Sequence, residues 1–198
     1  MSSFLKRTLV LTTLAGFAAP AAQAQIVNID ASQSGCVQAS QCDGSPHQPP
    51  GTTIGALYSP SQLTLGAGTY SITNANGLTG ANPNFTSWRF NGANNWVWAF
   101  MMINDADKVL LVQGCCGGAV YNTQAGAAND SFAVNYFSTF TLTQTTTLDF
   151  ITEDYYPGDN AGGVALDIQN VQAAPEPASM LLIGTGLLGV GLIRRRRK

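Results

Sequence analysis

Basic residues are almost missing from the middle of this chain. Of nine Lys and Arg, seven lie near the termini (Lys6, Arg7, Arg194, Arg195, Arg196, Arg197 and Lys198), leaving Arg89 and Lys108 between them. Ten acids share that middle, so residues 25–174 carry a net charge of −8. A surface that negative repels phosphate backbones, which argues against nucleic acid as a partner and favours divalent cations and neutral polar ligands. Histidine is reduced to His47 in a Pro-rich loop, so Ser-His and Cys-His nucleophilic catalysis has little to stand on. No G-x-S-x-G and no phosphate-cradling P-loop occurs. Glu153 is the only Glu before Glu176, whereas a glycosidase needs two facing carboxylates, often including Glu. These absences predict a protein that is not an enzyme; a surface polysaccharide hydrolase relying on Glu153 is the enzymatic alternative.

What is present begins with two apolar segments, one at each end. Lys6 and Arg7, the apolar run Leu9 to Phe17 and the small residues Ala22 and Ala24 follow the order of a secretory signal peptide, residues 1–24. The mature chain is then expected to start at Gln25. At the other end, residues 178–193 form sixteen positions without a charge, about 24 Å as a helix. That is short for a hydrocarbon core of about 30 Å, but flanking arginines can snorkel to complete the span. The basic tail, residues 194–198, holds the C-terminus in the cytoplasm and leaves residues 25–174 outside the inner membrane. Export brings the four cysteines, Cys36, Cys42, Cys115 and Cys116, into an oxidising compartment. All four are expected in disulfides, either as two local pairs or as cross-pairs between the clusters; their spacing does not suit zinc.

Residues 25–61 show no apolar period and read as an irregular, disulfide-stapled segment. Residues 62–174 then alternate short β-branched and aromatic runs with Gly, Asn and Asp turns. Runs at 69–73, 87–90, 96–103, 108–113, 131–143, 146–156 and 162–171 predict an all-β fold, a jelly-roll-like sandwich of about eight strands. No helical period stands out in this region. The run 96–103 is apolar on both faces, where a sandwich strand needs one apolar face. Either a loop covers its second face, or Trp96 and Trp98 form a platform on which sugar rings could stack. Pro157-Gly158 predicts a type II turn. Glu153, Asp154, Asp159 and Asp167 lie around it and could either be solvated turn acids or hold calcium.

The C-terminal segment is more specific. Pro175-Glu176-Pro177, a glycine-rich apolar stretch and an arginine-rich end, in that order over residues 175–198, resemble the PEP-CTERM sorting signal of Gram-negative bacteria. The family pattern often has Val before the first Pro, where this chain has Ala174. The turn Asp159-Asn160-Ala161-Gly162-Gly163 followed by Leu166-Asp167 is similar in style to the β-domains of other members. The resemblance implies an inner-membrane precursor cut near the motif by a membrane-embedded exosortase and then released to the cell surface or extracellular matrix. It also implies an association with exopolysaccharide and biofilm. A calcium-assisted carbohydrate-binding module is the alternative within that setting.

Overall fold

The computed structural model describes residues 24–38, 48–92, 94–114 and 119–171. Signal residues 1–23, Cys42, His47, Cys115, Cys116 and everything from residue 172 onward, including the sorting motif, the apolar stretch and the basic tail, lie outside the described residues. Ala22–Ala173 cluster as one unit. Among the described residues no helix is long and apolar enough to cross a membrane.

The fold is all-β and is built on two sheets. The first has six strands: β1 (Gln25–Asp30), β5 (Gly68–Asn74), β6 (Trp88–Arg89), β7 (Trp96–Val97), β10 (Phe137–Leu142) and β12 (Ala161–Asn170). Their order is β10-β5-β12-β6-β7, with β1 also on β12. The second sheet joins β4 (Ser61–Leu65), β8 (Phe100–Asn104), β9 (Val109–Gln113) and β11 (Thr146–Ile151) in the order β4-β11-β8-β9. Each of these strand pairs is antiparallel. Val27, Ile29, Ile72, Val164, Leu166 and Ile168 of the first sheet share one core with Phe100, Met102, Leu148 and Phe150 of the second. Inward residues from both sheets meeting in one apolar layer is sandwich packing.

The second sheet is apolar on its outer face as well. Met101, Ile103, Val109 and Ile151 point away from the shared core into a separate cluster with Cys36 and Ile54, against which Leu57 packs. The two faces follow from strand alternation: Phe150 stands opposite Met102 on one side, and Ile151 opposite Met101 on the other. So the doubly apolar run is covered twice. The cover comes from the segment read as irregular, which contributes Ile54 and the short pair β2 (Gly35–Cys36) with β3 (Leu57–Tyr58). That segment is also regular at its start, because β1 alternates Val27 and Ile29 into the core and pairs with β12 over six positions.

Three local expectations differ from the structure. The run 96–103 is not one strand: β7 belongs to the first sheet and β8 to the second, and the chain crosses between them at Trp98 and Ala99. Trp88 secures the crossing by donating its indole N–H to the Ala99 carbonyl at 2.9 Å. Residues 131–143 divide into a helix and a strand. Helix α1 (Gln124–Ala128) is capped by the Thr123 hydroxyl, and α2 (Ser131–Val134) by the Asp130 carboxylate, before β10 begins. Helices of five and four residues are too short to display a 3.6-residue period. Finally, Pro157–Asp159 is a 3-10 turn with Asn160 N–H on the Pro157 carbonyl at 3.2 Å. Gly158 is not among the residues with positive φ, as a type II turn would require.

Candidate functional site

The crossing at Trp98 and the two short helices that follow β9 create a cleft of about 320 Å³. Trp98, Tyr121, Phe132, Gln113 and Asp130 line it, with Ala127 and Ala133 at the helix bases. A neighbouring hollow shares Gln113 and Phe132 and adds Tyr136, Asn135 and Ser138, so the Phe132 ring stands between the two. Trp98 is only 4% exposed and meets Phe100, Phe132 and Tyr136 at centroid distances of 5.7, 5.8 and 4.9 Å. Phe132 is 46% exposed and is the accessible member of this aromatic group. Edge-to-face contacts of this kind hold rings in fixed orientations.

The polar members divide into bonded and unbonded groups. Asp130 accepts the Phe132 N–H at 2.7 Å and the Tyr121 hydroxyl. Those two bonds hold its carboxyl below the ordinary range, with the tyrosine contributing most, against a smaller opposing effect of burial. The same bond to Asp130 raises Tyr121, helped by burial and by the carboxylate charge. Tyr121 is itself fixed by paired backbone bonds to Trp96, both 2.8 Å. In contrast, the indole N–H of Trp98 is buried with no hydrogen-bond partner among the described residues. An unmet buried donor costs about 1–3 kcal/mol. Burial raises the Tyr136 hydroxyl far above its ordinary value, with Ser138 as a smaller opposing influence.

Of the residues singled out from the sequence, Trp98 lines the cleft and Trp96 does not. Trp96 is half-buried in β7, its ring close above Gly162, so the two indoles do not form one exposed platform. The four carboxylates are dispersed. Among the described residues no three carboxylate, histidine or cysteine side chains converge as a metal site. Glu153 is 4% exposed, and Asp154 accepts the Tyr156 N–H at 2.9 Å. Asp159 belongs to the 3-10 turn, while Asp167 sits within β12 and accepts from Gln169 at 2.6 Å. Cys36 is buried and disulfide-bonded. Ala24 is exposed just before β1.

Residues 173–198 match the PEP-CTERM protein-sorting motif. The chain carries a PEP-CTERM sorting signal. That signal supports export of the chain, a membrane-anchored precursor and an exosortase as processing partner. No curated protein and no solved structure matches the chain. The PEP-CTERM match begins only after the last strand of the β-domain has ended, so the domain's own chemistry rests on its side chains. Asp130, Phe132, Tyr136, Tyr121 and Gln113 were not singled out from the sequence. Asn129-Asp130-Ser131 does contain a helix-cap signal, which the aromatic and threonine-rich strand pattern after it overshadowed.

Proposed function

We infer that this is a non-enzymatic, exosortase-processed protein of the cell surface or extracellular matrix, of a jelly-roll-like build and linked to exopolysaccharide and biofilm. The observation that carries the reading is the PEP-CTERM match at residues 173–198. Among the described residues that line the cleft, Asp130 supplies a carboxylate. Glu153, on which a hydrolase would depend, is buried outside the cleft lining. Intact-mass analysis of the surface fraction of an exosortase-bearing host is the test. The mature protein is expected to have lost most of residues 178–198. Recovery of the surface form with Arg194 to Lys198 attached would overturn exosortase processing.

A carbohydrate-binding module is the second reading, and the aromatic cleft with mixed polar lining favours it. Among the described residues no three of Glu153, Asp154, Asp159 and Asp167 come together as a metal site, so the sugar reading rests on the cleft alone.

A further inference from the structure

We propose that the cleft bounded by Trp98, Phe132, Tyr121, Gln113 and Asp130 binds an uncharged, hydroxyl-rich sugar unit of a glycan and discriminates against acidic glycans. The proposal rests on the binding-module reading and adds the site and the ligand class. The lining combines aromatic walls with groups of opposite hydrogen-bonding sense. Asp130 can only accept, the Trp98 indole can only donate, and the Gln113 carboxamide does both. A ligand that satisfies all three must itself donate and accept at close spacing, as neighbouring ring hydroxyls do. Its body must also present apolar C–H faces to Phe132 and Tyr121, as a pyranose ring does.

Charge narrows the choice further. An organic cation would suit Asp130 and the rings but would leave the indole N–H without an acceptor. An anionic sugar would meet the indole but would face Asp130 and a domain of net charge −8. A neutral pyranose has neither conflict. Phe132 is the movable wall: it is 46% exposed, lies on a helix of four residues and packs edge-on against Trp98. Its displacement by an entering ring would uncover the buried indole N–H.

The test uses the full-length chain in a zwitterionic detergent without a sugar headgroup. Cellohexaose, laminarihexaose and maltohexaose are titrated by calorimetry and by tryptophan fluorescence, with hexagalacturonate and choline as charged comparisons. At least one neutral hexasaccharide is expected to bind saturably and to perturb tryptophan emission, with hexagalacturonate at least tenfold weaker. Phe132→Ala, on an exposed side chain, is expected to weaken binding tenfold or more without changing the circular dichroism spectrum. Trp98→Phe keeps an aromatic ring while deleting the N–H, and is expected to weaken binding several-fold. Failure of all three neutral glycans, equal binding of hexagalacturonate, preferential binding of choline, or unchanged affinity in folded Phe132→Ala would each overturn the proposal. None of these results would alter the processed mass of the surface form, so the sorting reading stands or falls separately.

Discussion

At Gly163 the missing side chain is a structural requirement. A Cβ placed there would lie 2.2 Å from the Ile29 carbonyl oxygen and 2.7 Å from the Phe85 ring. Strand β1 and the Phe85 loop close over this position because it has no Cβ, and Asn160 nearby donates to the Ala31 carbonyl at 3.3 Å. Gly163→Ala is therefore expected to cost about 1–3 kcal/mol through overpacking against backbone, read as a lower denaturation midpoint with an unchanged slope. Tyr121 and Asp130 offer a titration test at the same scale. An acid held below its ordinary value stabilises the fold above that value and loses the contribution as pH falls through its lowered one. A tyrosine held above its ordinary value contributes below that value, and the contribution fades as pH rises through its raised one. In Tyr121→Phe, the Asp130 carboxyl, followed by NMR, is expected to titrate higher, toward its ordinary 3.8. It should stop short of that value because the Phe132 N–H still bonds it. An unmoved titration would show that the tyrosine is not the cause.

Among the elements, residues 52–54 ahead of β3 carry more stability than their place outside the main strands suggests. Ile54 is 1% exposed and completes the outer cluster over Met101, Ile103 and Ile151. Ile54 N–H bonds the Asp107 carbonyl at 2.8 Å, and Thr53 bridges to Lys108, so the cover is tied to the turn that leads into β9. Ile54→Ala is expected to destabilise the domain by about 2–5 kcal/mol, a core-sized loss from a loop residue, measured by chemical denaturation. A loss within about 0.5 kcal/mol, as for surface positions, would show that the cover is dispensable. Strands β5, β11 and β12 were legible because each pairs alternating apolar residues with turn chemistry at its ends, and β9 because a short apolar run lies between turn residues. The β7–β8 crossing was not. Its apolar residues continue unbroken while the chain changes sheets, and periodicity carries no information about which sheet a strand joins.

For the molecule as a whole, export and disulfide formation are coupled to this cover. Cys36 is buried in the outer cluster that shields the second sheet, and is disulfide-bonded. All four cysteines are expected to be oxidised in the exported protein, with no free thiols on denaturing, non-reducing labelling. Reduction is expected to remove about 2–5 kcal/mol and to lower the melting temperature. A melt indifferent to reductant would mean that packing alone holds the cover in place.

The sequence by itself determined the route of the chain and its fold class. A sorting signal is read as a linear string of Pro-Glu-Pro, apolar stretch and basic tail, so its meaning does not depend on how the rest folds. An all-β fold likewise follows from local alternation and turn residues. The tertiary structure alone decided that Met101 and Ile103 are covered, that Trp96 and Trp98 part company, and that the acids around Pro157 do not converge. It also brought Gln113 at the end of β9, Trp98 at the crossing and Asp130 at the cap of α2 to one cleft. These depend on which sheet each strand joins and where the chain crosses between them. Such choices are made by packing between residues far apart in sequence, and no local pattern records them.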